Sequence, residues 1–121
     1  MSDSKELGNQ GEDFASSFLA EKGYKIVSRN WKLGANEIDI IAENKEFIVF
    51  IEVKTRSENF LEHPYTAVTS SKQKTIIRLA DNYIRKYNID KEYRFDIITI
   101  IKNNDKFEID HIENAFYPTL R

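Results

Sequence analysis

Two runs rich in apolar and β-branched residues, Glu37-Ile38-Asp39-Ile40-Ile41-Ala42 and Phe47-Ile48-Val49-Phe50-Ile51-Glu52-Val53-Lys54, stand only four residues apart. That spacing dictates an antiparallel hairpin closed by Glu43-Asn44-Lys45-Glu46. Symmetric closure around Asn44-Lys45 sets Ala42 opposite Phe47, Asp39 opposite Phe50 and Glu37 opposite Glu52. Because side chains alternate, Ile38, Ile40, Ala42, Val49, Ile51 and Val53 then form one wholly apolar face. The other face is apolar at its turn end (Ile41, Ile48, Phe50) and charged at its open end (Glu37, Asp39, Glu52, Lys54). A simple solvated surface would be polar along its whole length.

The remaining elements follow from periodicity and punctuation. Leu7, Phe14, Ala15, Phe18 and Leu19 recur at helical spacing between about Ser4 and Lys22, and Gly23 closes that helix. Tyr24 to Trp31 reads as a strand, with Gly34-Ala35-Asn36 as the turn after it. Asn36 is a residue type that tolerates left-handed backbone. Ser71 to Tyr87 aligns Ile76, Ile77, Ala80, Tyr83, Ile84 and Tyr87 on one helical face, with Ser70 or Ser71 as the cap. Tyr93 to Lys102 is a buried strand, and Asn103-Asn104-Asp105 turns the chain into a last strand, Phe107 to Ile112. The order is helix, three strands, helix, two strands: an α/β fold, read as one domain over residues 1–121, with no linker, repeat or low-complexity block.

Asp39 and Glu52 are diagonal neighbours in the expected register, so both carboxylates reach one ion, and a cation between them relieves their repulsion. The chain has no cysteine and only two histidines, His63 and His111, neither with a partner at metal spacing. Both read as structural or exposed. Hard oxygen ligands alone point to Mg²⁺ or Mn²⁺ rather than zinc or copper. Lys54, on the same face, suits a developing phosphate charge. The formal net charge of −2 speaks against a polyanion partner. Yet Ser71 to Arg94 holds seven Lys or Arg against three acids, a local excess of four. Glu37 stays open as a metal ligand, a partner of Lys54 or a cross-strand charge. Trp31 and Tyr83 read as core aromatics before base-stacking ones. The charged N-terminus and the absence of a long apolar run lead to an expectation of a cytoplasmic protein with no membrane segment.

Asp39 followed after a hairpin by Glu52-Val53-Lys54 resembles the D…E-x-K signature of the PD-(D/E)XK nuclease superfamily. Gly11-Glu12, Gly23-Tyr24, Arg29-Asn30, Glu37 through Ala42, Phe50 through Arg56, Lys72-Gln73, Arg94-Phe95-Asp96 and Asn114-Ala115-Phe116 extend that likeness to the YraN-like family of predicted endonucleases, related to Holliday junction resolvases. The resemblance runs over nearly the whole chain. It implies a restriction-endonuclease-like core with a mixed sheet flanked by helices. It also implies a Mg²⁺- or Mn²⁺-dependent endonuclease acting on DNA rather than RNA, including branched or junction DNA. Asp39, Glu52, Lys54, Glu12 and Gln73 would be its catalytic residues. Asp39, Glu52, Glu12 and the backbone carbonyl of Val53 would hold the metal. Lys72, Lys74, Arg56 and Arg78 would bind nucleic acid, and the amides at the start of the second helix would favour a phosphate.

Glu12 is equally readable as an ordinary helix carboxylate, and Gln73 as part of a helix cap. Two symmetric cuts need two sites, so the resemblance implies a homodimer, for which Phe116 and Tyr117 offer apolar surface. A different class of function, a non-catalytic nucleic-acid-binding module on the same fold, is the alternative. A glycosidase using paired carboxylates fits poorly, because it leaves Lys54 without a role.

Overall fold

A computed structural model describes residues 2–57 and 68–118. The elements are α1 (Ser2–Glu21), β1 (Lys25–Leu33), β2 (Asn36–Glu43), β3 (Phe47–Ser57), α2 (Ser70–Lys86), β4 (Glu92–Asn103) and β5 (Lys106–Phe116). The five strands form one sheet in the order β1-β2-β3-β4-β5. β3 and β4 are parallel, as the α2 crossover between them requires, and every other pairing is antiparallel. This is the expected α/β arrangement, a mixed sheet flanked by two helices and consistent with a restriction-endonuclease-like core.

The central strands β2, β3 and β4 are buried on both faces, and their alternate residues feed two separate cores. Ile41, Ile48, Phe50, Phe95 and Ile97 meet Ile76, Leu79, Ala80 and Tyr83 of α2. Ile40, Ala42, Val49, Ile51, Val53, Ile98 and Ile100 meet Ala15 and Leu19 of α1. Double coverage explains why β3 and β4 lack the polar alternation of a half-exposed strand. Trp31 and Tyr83 stack edge-to-face at 5.3 Å as part of the α2 core. Their aromatic surface is structural, as the composition led one to expect.

Local chemistry shifts several details from the sequence reading. The hairpin closes two residues later than symmetric closure predicts, pairing Ile41 with Phe50 and Ala42 with Val49. The cause is Asn44, whose side-chain oxygen accepts the N–H groups of Glu46 (3.0 Å) and Phe47 (2.8 Å) and so tightens the turn on its far side. A two-residue shift preserves parity, so the charged residues stay clustered. Ile38, however, packs with Ile41 rather than with Ile40, so strict alternation breaks at Asp39.

In the β1–β2 turn the left-handed residue is Gly34 (φ 62°), and Asn36 is already paired with Leu33 as the first residue of β2. The cap of α2 is Thr69, whose Oγ1 accepts the Lys72 N–H at 3.2 Å, instead of Ser70 or Ser71. Gly23, at φ 97°, does end α1 as expected, and the Tyr24 N–H returns to the Leu19 carbonyl at 3.0 Å.

Gly11 sets how closely α1 approaches β3. A Cβ there would run into the Thr55 hydroxyl and lie 2.9 Å from the Thr55 Cβ. The helix therefore rests directly on the strand, which brings the next residue, Glu12, to the charged end of the sheet. β5 continues to Phe116, which is 6% exposed and stacks on Phe95 at 5.2 Å. Phe116 is thus core and not available to a dimer surface, whereas Tyr117 is 66% exposed. His63 and Pro64 lie outside the described residues. No helix among the described residues is long and apolar enough to cross a membrane.

Candidate metal centre

The β2–β3 ladder runs from Glu43–Ile48 to Ile40–Ile51 and stops there. Beyond it the Asp39 side chain takes over the role of a backbone carbonyl, its Oδ2 accepting the Val53 N–H at 2.9 Å. The strands separate at this point into a notch. Asp39 lies on one wall and Glu52 and Lys54 on the other. By the corrected register Asp39 falls directly opposite Glu52, not diagonal to it.

Both carboxylates are buried, Asp39 at 9% and Glu52 at 4% exposure. Burial is the largest influence on Asp39 and pushes its carboxyl up from 3.8 to about 7. Glu52 and Glu37 push in the same direction, while the Val53 N–H and Lys72 oppose it. Burial also raises Glu52, against the pull of Lys72 and Lys54. Those lysines lie 3.7 Å and 4.0 Å from Glu52 Oε2. Among the described residues, Glu52 Oε1 is buried and has no hydrogen-bond partner.

Two further carboxylates close the notch on the Asp39 side. Glu12, Glu37 and Asp39 each offer an oxygen within 4.8 Å of the others. Burial and the Asp39 charge raise Glu12, with Asn30 and Arg29 pulling it down. Arg29 is 3.5 Å from Glu12 but closer, 2.9 Å, to the exposed Asp13. Asn30 donates to Glu37 at 3.0 Å and to Glu12 at 3.2 Å. Glu37, left open by the sequence, therefore belongs with the acidic group and not opposite Glu52.

The structure brings Glu12 to Asp39, and Asp39 to Glu52 with Lys54 beside it, while Glu52 lies outside the group of oxygens within 4.8 Å of one another. Val53 contributes its N–H to Asp39 and its side chain to the α1 core. Lys72, expected to face nucleic acid, turns inward to Glu52. Gln73 is not brought to the carboxylates by its amide nitrogen, which donates to the Val68 carbonyl at 3.1 Å and fastens the entry to α2. Lys74 and Arg78 are exposed on α2, and Arg56 is half-buried on β3 and donates to the Thr55 carbonyl.

The sequence reading gave no role to a further buried carboxylate, Asp96, or to the residues around it. Asp96, fully buried, accepts from Arg94 Nε (2.9 Å) and Nη2 (2.8 Å), and from the Asn114 N–H (2.9 Å). His111 Nε2 lies 2.8 Å from it, and Lys22 donates to His111 Nδ1 at 2.9 Å, which makes Nε2 the protonated nitrogen. Burial alone would raise Asp96, but His111, Arg94 and the Asn114 N–H hold its carboxyl below the ordinary range. His111 is therefore structural, locking β5 to β4 where their register shifts between Phe95 and Ile97.

Comparison with known proteins gives a consistent relationship. Residues 11–100 match the model of an uncharacterised protein family, UPF0102. The chain is 44% identical over 120 residues to a UPF0102 protein of Phocaeicola vulgatus, covering 99% of both chains. It is 47% identical over 120 residues to one from Bacteroides thetaiotaomicron, again covering 99% of each. A UPF0102 protein of Chlorobium phaeobacteroides is 48% identical over 118 residues, spanning 92% of this chain and 94% of its own.

Proposed function

This chain belongs to the UPF0102 family, and from that premise and the geometry of the notch we propose that it is a divalent-metal-dependent nuclease hydrolysing phosphodiester bonds of DNA. The observation that carries the reading is the buried Oε1 of Glu52 beside Asp39, which among the described residues has no partner when both carboxylates are charged. A buried acceptor without a donor costs about 1–3 kcal/mol, more when charged. Two facing carboxylates add repulsion. A divalent cation offsets both costs, and an all-oxygen donor set suits Mg²⁺ or Mn²⁺.

Asp39, Glu52, Glu12 and the Val53 carbonyl would hold the ion. Once bound, it would polarise a phosphodiester oxygen and make water nucleophilic near neutral pH. The chain's own residues do the rest. Lys54, partly exposed and 4.0 Å from Glu52, would meet charge developing on phosphate. Lys72 at the start of α2 reaches the same Glu52 oxygen at 3.7 Å and keeps that carboxylate oriented. Exposed Lys74 and Arg78 follow along α2, where they track a phosphate backbone and offset the overall negative charge.

The reading is tested by titrating Mg²⁺ and Mn²⁺ into the wild type and Asp39→Ala, then incubating each with branched, single-stranded and duplex DNA. Cleavage confined to metal-loaded wild type is the expected result. Metal binding without scission on any substrate would replace the nuclease with a binding module. No metal binding at all would make the carboxylates structural.

A further inference from the structure

The acidic notch has a neutral clamp on its outer wall. By the register of its neighbours, Asn30 of β1 falls opposite Asp39, and the β1–β2 ladder skips it. Its backbone sits at φ 53°, a left-handed conformation that asparagine tolerates better than most residues. The kink directs the side chain to α1 and β2 together, so that one amide nitrogen serves Glu37 at 3.0 Å and Glu12 at 3.2 Å. Two carboxylates from different elements are thereby held beside a third, Asp39, with ligand oxygens within 4.8 Å of one another.

We propose that Asn30 is a positioning residue of the metal centre and that Glu37, which it holds, is a further carboxylate ligand. This rests on the reading of the notch as a divalent-cation site. Acidic side chains in a group are commonplace, but this group adjoins the unpartnered oxygen of Glu52, whose side chain is 5% exposed and faces Asp39. An asparagine suits the task because it orients carboxylates without cancelling their charge. A lysine or arginine at this position would neutralise them and compete with the ion. Arg29 divides between Asp13 at 2.9 Å and Glu12 at 3.5 Å.

The test measures Mn²⁺ affinity by calorimetry and melting temperature with and without Mn²⁺, in wild type, Asn30→Gly, Asn30→Asp, Glu37→Gln and Asp39→Asn. Asn30→Gly keeps the backbone conformation and loses the amide, so Mn²⁺ binding weakens by about tenfold or more, the usual effect of losing a residue that orients ligands. Glu37→Gln weakens it similarly, and the two changes combined cost less than their sum because part of the effect of Asn30 passes through Glu37. Asn30→Asp also tolerates the kink but exchanges a donor for a charge. Its metal-free melting temperature falls, and its rise on adding Mn²⁺ exceeds that of the wild type. A merely structural asparagine would not give opposite metal responses in two variants of the same site. If wild type binds Mn²⁺, Asp39→Asn does not, and both Asn30→Gly and Glu37→Gln bind as wild type, the centre stands and this inference is overturned. If wild type binds no Mn²⁺, both fall.

Discussion

Replacing Asp39 by asparagine should make the metal-free protein more stable while removing its response to metal. In the fold the Asp39 carboxyl moves from 3.8 to about 7. At ~1.4 kcal/mol per pH unit, ionising it in the folded chain costs about 4 kcal/mol more than in the unfolded chain. Part of that repulsion is shared with Glu52, and asparagine keeps an oxygen for the Val53 N–H, so Asp39→Asn recovers about half, ~2 kcal/mol. A chain of this length unfolds with an entropy near ~0.25 kcal/mol per degree, which converts the gain to about 8 °C. The folded carboxyl is raised, so its contribution to stability is intact below 3.8 and is lost as pH rises to about 7. The advantage of the variant should therefore open across that window and stay level above it. Melting curves from pH 3.5 to 8.5 with chelator check the size and the window. Saturating Mn²⁺ at pH 8 should then reverse the order, raising wild type alone. A variant that melts at or below wild type at pH 8 without metal would refute the claim that Asp39 is held there at a cost.

Asp96→Asn should behave in the opposite sense, losing about 3 kcal/mol at pH 7 because Arg94 and His111 are left facing a neutral group. Its carboxyl is lowered, so the stability it confers is present above the ordinary value and is lost as pH falls through the folded one. The deficit should narrow in acid, as pH-dependent denaturant melts would show. Gly11→Ala gains up to ~1 kcal/mol of helix propensity but meets Thr55, and overpacking of about 1–3 kcal/mol should win. The variant should melt lower, with partial recovery on adding Thr55→Ala. Removing Lys74 or Arg78 as glutamine should flatten the salt dependence of DNA binding by about one phosphate contact each while leaving Mn²⁺ affinity unchanged. Fluorescence anisotropy at several salt concentrations measures it.

What was legible in the sequence is what depends on periodicity and parity. Both helices, all five strands and the clustering of Asp39 with Glu52 and Lys54 follow from alternation and helical spacing, which a two-residue register shift leaves intact. What was not legible depends on single side chains answering the backbone. Asn44 moved the hairpin closure by accepting two N–H groups, and Asp39 ended the ladder by accepting one. Asn30 left no periodic trace because its effect comes from a left-handed kink. Gln73 and Lys72 are neighbours on a helix, so spacing alone could not say that the lysine would turn to Glu52 and the glutamine to Val68. The Asp96 cluster escaped because Arg94 and Asp96 look like interruptions in an apolar strand until His111 and Asn114 arrive from β5.

The two buried aspartates of the sheet separate structure from function more sharply than burial does. Asp96 is fully buried, yet two Arg94 nitrogens, His111 and a backbone N–H surround it, and its carboxyl is held low. Asp39 is slightly less buried and receives one N–H, while Glu52 and Glu37 face it with like charge, and its carboxyl is driven up. The same chain thus satisfies one buried carboxylate completely and leaves the other short of donors a few strand positions away. A fold able to build the Asp96 network has the means to neutralise Asp39 as well. It supplies the notch instead with Glu12, Glu37 and a Glu52 oxygen that has no partner among the described residues, while Lys54 and Lys72 both meet the other Glu52 oxygen, and this uneven pairing is what the proposed cation would complete.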